Sequence, residues 1–379
     1  MKDKKKKDSR ADEEKELLLD PEYLERKKKK RRIRRLTACA GILLAVFLFA
    51  GASLLLVGAI GHSRLKQVSA EQPELAEAAE AETPTEEEAE SWQEGWIKYQ
   101  GRTYAYNEDI LTFLFMGIDK REGIVREVAE GTDGGQADAL FLLVLDPHSR
   151  KASVIGINRN TMTEIDIYNE EGAYVDTVTA QIAVQHGFGN GVEKSCEYQR
   201  EAVSRLFYHL PIHGYAAVNM GAIPELNDLV GGVDVTVLED MTSEEPAFVE
   251  GTEVHLEGQD ALLYVRYRDE DAFGSSDERL ARQKQYLTGF IGAAKAAAEA
   301  DISTVVRLYR AAAPMMTTDI TLDEAVYLAS QALDYSIGSG DFYMLAGETS
   351  MGEQFEEYRI DETALYELIL EVFYEPVEP

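Results

Sequence analysis

The sequence predicts an α/β domain with a mixed central β-sheet flanked by helices, preceded by a single transmembrane helix. Three observations predict this architecture. One uncharged apolar run lies near the N-terminus, and several later runs are almost continuously apolar, as in strands covered on both faces. Between and after those runs, apolar residues recur three and four positions apart, which indicates helices.

The transmembrane prediction concerns residues 36–60, LTACAGILLAVFLFAGASLLLVGAI, which contain no charged residue. A bilayer core needs about 20 apolar residues of helix. The basic stretch ERKKKKRRIRR (25–35) precedes the run, and basic flanks stay cytoplasmic. We therefore predict a protein of the cell membrane, with a basic cytoplasmic tail (1–35) and its main domain outside. A cleaved signal peptide fits less well, because its apolar region is about 7–15 residues.

The N-terminal tail and the remainder of the chain carry net charges of opposite sign. Residues 1–36 contain 16 Lys or Arg and 9 Asp or Glu, whereas the whole chain has a net charge of −31, so the part after the apolar run is strongly acidic. This acidity argues against nucleic acid as a partner, since nucleic-acid binding needs a basic face. Residues 61–98 are rich in Glu and Ala, which predicts an acidic extracellular linker before a domain at 99–379.

The elements of the domain follow from its apolar runs. The predicted strands are 110–119, 137–146, 151–158, 214–220, 231–238 and 262–268, and the predicted helices are 196–210, 277–300, 303–316, 322–335 and 361–374. The turn LDPHSRK (145–151) joins two strands, with Pro147 setting the bend. Strands mixed with helices, together with this hairpin, indicate a mixed sheet.

Arginines at the ends of these elements are the strongest chemical signal, since no P-loop, dinucleotide fingerprint, HExxH or GxSxG motif is present. Arg266 and Arg268 are two apart in a predicted strand, so both point to one face and suit a diphosphate. Arg279, Arg282 and Gln283 lie together on a predicted helix. Each arginine taken singly also fits an ion-paired or solvated surface residue.

Two aspartates could balance these cations. Asp119 ends the first core strand in FMGID, and Asp138 follows a Gly-rich turn in GGQAD. Carboxylates beside a polyphosphate commonly hold Mg²⁺ together with several waters. Either aspartate could instead serve as a turn residue or strand cap.

The order of these segments resembles the LytR-CpsA-Psr family of cell-wall ligases over roughly residues 105–295. The resemblance rests on several separated segments in the family's order: FLFMGIDKREG, GGQADALFLLVLDPHSRKASVIGINRNTMTEI, GYAAVNMGAIPELNDLVGGVDVTV and LEGQDALLYVRYR followed by ERLARQKQ. It implies an α/β fold whose core holds a polyprenyl-phosphate lipid. It also implies a magnesium-dependent phosphotransferase that moves a glycopolymer phosphate from a polyprenyl-diphosphate carrier to peptidoglycan.

The resemblance also implies roles for individual residues. Asp119 and Asp138 correspond to the metal-side acids, with Asp138 also among the catalytic residues. Arg159 corresponds to the arginine of the family's PRD segment, and it joins Arg266 and Arg268 as catalytic and diphosphate-binding. The remaining diphosphate-binding residues are Arg279, Arg282, Gln283 and, where the family has a lysine, Gln181.

The sequence lacks two charges that the family has, and Asn158 also stands at the proline of the family's PRD segment. Asn160 replaces the acid after the arginine, and Gln181 stands at the lysine position, so each change removes one charge. The alternative function is therefore non-catalytic. A protein of the same fold would bind polyprenyl phosphate or wall polymer, or regulate assembly, without transferring a group. An extracellular adhesin or signalling domain unrelated to lipid carriers is a third interpretation.

Overall fold

The computed structural model describes residues 72–377, except 79, 84–91, 94, 125–134, 170, 270–271, 323, 326 and 329–333. The chain divides into two units, 1–60 and 61–379, and every described residue belongs to the second. The predicted tail and transmembrane helix thus lie outside the described residues. Among the residues that are described, no helix is both long and apolar enough to cross a bilayer.

Strands and helices alternate irregularly along the domain. The strands are β1 (Ile97–Tyr99), β2 (Arg102–Tyr106), β3 (Leu111–Ile118), β4 (Ala137–Asp146), β5 (Lys151–Ile157), β6 (Met162–Tyr168), β7 (Tyr174–Gln181), β8 (Gly214–Asn219), β9 (Val233–Thr236), β10 (Glu253–Leu256), β11 (Met316–Thr318), β12 (Phe342–Met344), β13 (Gly347–Met351), β14 (Glu356–Ile360) and β15 (Tyr374–Pro376). The helices are α1 (Glu193–Leu206), α2 (Ile223–Leu229), α3 (Gln259–Arg266), α4 (Ser275–Ala300), α5 (Ser303–Ala312) and α6 (Glu362–Phe373).

A six-stranded sheet forms the centre of the domain, in the order β11-β8-β3-β4-β5-β12. β4 is antiparallel to both β3 and β5, whereas β8 is parallel to β3 and β12 is parallel to β5. The predicted mixed sheet with flanking helices is therefore confirmed, as is the hairpin at 145–151.

Both faces of this sheet are covered, which explains the nearly continuous apolar strands. In β4, Leu140 and Leu142 pack into the main core together with α1 and α6. Phe141 lies on the opposite face, where Leu280 and Leu287 of α4 cover it. Alternate residues of one strand point to opposite faces, so the single run ADALFLLVLD supplies both layers.

The prediction of a strand at 262–268 is wrong. Residues Gln259–Arg266 form α3, and the chain becomes extended only at Tyr267. The buried residues are Ala261, Leu262, Tyr264 and Val265, a spacing of one, three and four that belongs to a helix face. The strand at 231–238 does form, as Val233–Thr236, but it pairs with β10 outside the central sheet.

Part of the segment predicted as a linker packs onto the domain. Residues Glu74–Glu77 form a short 3-10 turn, and Leu75 is fully buried in the main core. The backbone N–H of Glu74 donates to the carbonyl of Tyr208 at 2.7 Å, and Glu82 pairs with Lys98. One buried leucine and these backbone bonds fix a stretch whose composition alone does not predict order.

Candidate active site

A cleft of about 710 Å³, here called the central cleft, opens where β3 ends and β4 begins. The antiparallel register pairs Ile118 with Ala137, so Asp119 and Asp138 reach the same edge of the sheet. β5 ends at that edge too and brings Arg159. The cleft's charged lining residues are Asp119, Lys120, Arg121, Asp138, Arg159, Glu244, Asp260, Arg266, Arg268 and Arg279.

Asp138 is the centre of a buried charge cluster at this edge. Its Oδ1 lies 3.1 Å from Nε of Arg159, and its Oδ2 accepts a 3.0 Å hydrogen bond from Nη1 of Arg279. Arg159 also donates to the side-chain oxygen of Gln136. One carboxylate thus faces two guanidinium groups, which leaves a net positive charge beside the cleft.

Arg159 and Arg279 are placed where both could bind one anion. Burial lowers the pKa of the Arg159 guanidinium, and the nearby charges of Arg279 and Arg268 lower it further, while Asp138 opposes the shift. Nη2 of Arg279 is buried and makes no hydrogen bond to any described residue. An unpaired buried donor is costly. A bound phosphate oxygen would both satisfy this donor and relieve the repulsion between the arginines.

Arg266 and Arg268 reach the central cleft from the end of α3 rather than from a strand. Arg266, the last residue of α3, pairs with Oδ1 of Asp119 through Nη2 at 2.9 Å and through Nε at 3.1 Å. Arg268 follows in the extended segment, where its Nε donates to Oγ of Ser275 at 3.1 Å. The two guanidinium groups therefore line one cleft, although they do not lie on the strand that the sequence predicts.

Arg282 and Gln283 lie behind the cleft and do not line it. Arg282 is buried and donates through Nη1 and Nη2 to the carbonyls of Tyr264 and Tyr267, and its Nε lies 2.7 Å from Oε1 of Glu239. Gln283 donates to the carbonyl of Val265 at 3.3 Å. Both side chains hydrogen-bond backbone carbonyls at the end of α3, and these bonds fix the backbone that carries Arg266 and Arg268.

The two neutral positions, Asn160 and Gln181, belong to a polar network that contains a carboxylate. The amide nitrogen of Asn160 donates to Oε2 of Glu356 at 3.3 Å, and Gln181 donates to Oδ1 of Asn160 at 3.1 Å. Glu356 is buried, accepts from the backbone N–H of Gly274 at 2.7 Å and lies 3.6 Å from Nη2 of Arg268. Glu356 of β14 thus places a carboxylate beside Asn160, the position at which the family has an acid.

Sequence reasoning missed three contributors to the site. Lys120 and Gln136 sit next to predicted residues, and their proximity to Asp119 and Asp138 was the available signal. Glu356 carried no signal, because it contacts Asn160 across 196 positions of chain. Such a pairing becomes visible only when β13 and β14 fold against the loop after β5.

The acids at the cleft fit a magnesium ion only in part. The described residues contain no group of three or more His, Cys, Asp or Glu side chains placed to hold a metal. Mg²⁺ beside phosphates needs only one or two carboxylates. Both oxygens of Asp138 already face arginines, whereas Asp119 is paired through Oδ1 and is partly exposed. Asp119 is thus the better candidate ligand.

Fold and cleft together define a class of protein: an α/β domain with a cationic cleft suited to a polyphosphate. The described lining of the cleft has six Lys or Arg against four Asp or Glu, in a chain whose net charge is −31. This chain belongs to the LytR_cpsA_psr family, whose model matches residues 67–371. That membership separates it from extracellular adhesins of unrelated families.

A curated relative agrees with this family assignment. The chain is 31% identical over 181 residues to the polyisoprenyl-teichoic acid–peptidoglycan teichoic acid transferase TagU of Bacillus cereus, a match that covers 48% of this chain and 52% of the relative. It spans only about half the length of that relative.

Two solved structures have the same fold. The crystal structure of Bacillus subtilis TagV matches 69% of this chain and 96% of its own, with a TM-score of 0.53 and 22% identity. Protein gbs0355 of Streptococcus agalactiae matches 69% of this chain and 86% of its own, with a TM-score of 0.54 and 20% identity.

Proposed function

We propose that this protein is a membrane-anchored phosphotransferase that moves a glycopolymer phosphate from a polyprenyl-diphosphate carrier to peptidoglycan. The observation that carries the proposal is the convergence of Arg159, Arg266, Arg268 and Arg279 on one cleft beside Asp138. The curated relative is named as a transferase of teichoic acid to peptidoglycan. Residues 36–60 would anchor the domain near lipid-linked substrates at the outer leaflet.

The chemistry requires little beyond positioning and charge neutralisation. An acceptor hydroxyl oxygen forms a bond to the phosphorus next to the glycopolymer. The bond from that phosphorus to polyprenyl phosphate breaks, and the hydroxyl proton is released. Guanidinium donors that contact the diphosphate oxygens favour departure of polyprenyl phosphate, because negative charge accumulates there as the bond breaks.

The residues divide this work according to their burial. Arg279, buried and with an unpaired Nη2, offers a fixed donor to a phosphate oxygen. Arg266 and Arg268 are more exposed and would close on the diphosphate from the side of α3. A bound Mg²⁺ would supply further neutralisation of the diphosphate, with Asp119 as the protein ligand.

The direct test uses the full chain in detergent micelles, a polyprenyl-diphosphate-linked glycopolymer and peptidoglycan. We expect release of polyprenyl monophosphate that depends on peptidoglycan, with a loss of roughly 10²–10³ in rate for Arg279→Ala. Arg307→Ala is the matched control, because Arg307 forms an exposed pair with Asp301 away from the cleft. No release by the unmodified protein, although the carrier binds, would contradict the proposal.

The second candidate is a protein of this fold that binds a lipid-linked polymer without chemistry. The neutral pair Asn160 and Gln181, located beside Arg268 and Glu356, is the observation that favours it. Copurified polyprenyl phosphate with no turnover supports this function. Turnover gained on introducing Asn160→Asp together with Gln181→Lys would instead identify an enzyme that has lost its activity.

A further inference from the structure

The central cleft continues into a second depression, here called the side groove, which adds about 530 and 420 Å³ in two adjoining parts. Gln136, Arg159 and Arg268 line both the central cleft and the first part of the groove, so the two spaces meet at these side chains. Ala272 and Phe273, which precede α4, and the turn between β13 and β14 form its walls.

Apolar side chains are unusually exposed along the side groove. Phe273 is 60% exposed, Phe355 is 66% exposed and Met351 is 64% exposed, and all three line it. Exposed apolar clusters with a polar rim mark binding sites for ligands or partners. Here the polar rim includes the amide of Gln354. Gln181 contributes its amide oxygen, because its nitrogen already donates to the side chain of Asn160 and the carbonyl of Glu356. Amides both donate and accept, as a hydroxylated ligand requires.

The charges of the side groove differ from those of the central cleft. Glu353, Glu356 and Glu357 line the groove, and the Lys or Arg residues among its described lining are Arg159 and Arg268, at the junction. Glu356 is paired with Arg268, and Glu357 is paired with Arg359. The acids of the groove outnumber its arginines by one, so the groove offers a phosphate-bearing chain little attraction. A saccharide needs no such attraction, because its apolar ring faces can stack on phenyl groups while its hydroxyls meet the amides.

The geometry of phosphoryl transfer also requires the carrier and the acceptor to occupy different spaces. In phosphoryl transfer, the attacking and leaving oxygens lie roughly in line on opposite sides of the phosphorus. A diphosphate held by Arg266, Arg268 and Arg279 in the central cleft is therefore approached by its acceptor from another direction. The side groove opens onto the same arginines and supplies such a direction.

We propose that the side groove binds the acceptor glycan, with Phe273 and Phe355 as stacking platforms. This assignment rests on the proposed function for the identity of the acceptor. The anionic carrier and its polymer occupy the central cleft, and the phosphate-free sugar backbone of the acceptor lies along the aromatic groove.

The test is equilibrium binding of a soluble peptidoglycan tetrasaccharide to the full chain in detergent micelles, with no carrier present. We expect Phe273→Ala/Phe355→Ala to weaken saccharide binding by about tenfold or more, because two stacking contacts are lost. Inorganic pyrophosphate, which probes the central cleft, should bind the double variant as it binds the unmodified protein. Phe355→Tyr, which keeps the ring face, should retain saccharide affinity.

Val249→Ala is the matched control, since Val249 is exposed but does not line the groove. Unchanged saccharide affinity in the double variant overturns the proposal. So does a loss of binding to phosphatidylcholine vesicles without a loss of saccharide affinity, because the phenyl groups would then contact lipid. If the saccharide binds in the groove but no transfer occurs, the proposed function fails and this site stands.

Discussion

Asp138 and Arg279 form a buried ion pair at the edge of the central sheet, with Nη1 of Arg279 3.0 Å from Oδ2 of Asp138. The same carboxylate also faces Arg159 through its other oxygen. Two guanidinium groups that share one carboxylate carry unbalanced charge in a buried place. Asp138 thus balances one of the two guanidinium charges, and one positive charge is left over at this edge of the cleft.

Replacing this carboxylate should cost stability. We expect Asp138→Asn to lower the free energy of unfolding by about 3–5 kcal/mol, because the buried Arg279 and the largely covered Arg159 lose their counter-charge. Urea denaturation of the full chain in micelles measures the change. Asp119→Asn is the control: its pair with Arg266 is partly exposed, so the expected cost is below about 1 kcal/mol.

Added pyrophosphate should recover part of the loss in Asp138→Asn, since a bound anion replaces the missing charge. An Asp138→Asn variant as stable as Asp119→Asn would show that the cluster does not depend on this carboxylate.

Arg282 should act on the cleft without touching a ligand. Arg282→Lys replaces a planar fork by a single ammonium, which cannot satisfy the carbonyls of Tyr264 and Tyr267 and Glu239 together. The end of α3 should then loosen. We expect faster amide hydrogen exchange at residues 265–268 and pyrophosphate binding weaker by about tenfold.

Arg307→Lys, a change of the same type in an exposed pair, should leave both measurements unaltered. If hydrogen exchange at the end of α3 is unchanged in Arg282→Lys, the positioning role assigned to Arg282 is wrong.

The carboxylate of Glu356 and the amide of Asn160 should be exchangeable. Asn160→Asp alone places two buried carboxylates side by side and should cost about 3 kcal/mol. Glu356→Gln alone removes the carboxylate partner of Arg268. The double variant keeps one charge and one amide, so its stability should approach that of the unmodified protein.

A double-mutant cycle in urea quantifies this exchange, with a coupling free energy of about 1–3 kcal/mol expected in favour of the double variant. Additive single effects would mean that the two side chains do not share one charged site.

The extent to which the sequence predicts this site depends on how each residue is positioned. Asp119, Asp138 and Arg159 follow directly from strand ends, because antiparallel neighbours bring such ends to one edge. Arg266 and Arg268 do line one cleft, but not as neighbours on a strand. Val265 and Tyr264 favour strands locally, whereas burial of Ala261, Tyr264 and Val265 in a second core selects a helix.

Burial and long-range pairing account for what the sequence could not predict. The position of Arg282 on its helix suggested a ligand contact, because spacing gives the side of a helix but not what packs against it. Glu356 lies far along the chain from its partners Asn160 and Gly274, which belong to two separate loops. Only the packing of β13 and β14 brings its charge to Arg268.

His213 should make the fold sensitive to mild acid. Its Nδ1 accepts a 3.0 Å hydrogen bond from the backbone N–H of Thr112 at the start of the central sheet. Burial lowers the pKa of His213 from 6.5 to about 4, so the folded state keeps the ring neutral. The unfolded chain takes up a proton below about pH 6.5, and the stabilisation from His213 is therefore present above that pH and lost as the pH falls towards 4.

We expect the free energy of unfolding to fall by about 2 kcal/mol more between pH 7 and pH 5 in the unmodified protein than in His213→Asn, whose side-chain oxygen can still accept from Thr112. Equal pH slopes for His213→Asn and the unmodified protein would show that His213 is protonated in the folded state as readily as in the unfolded one.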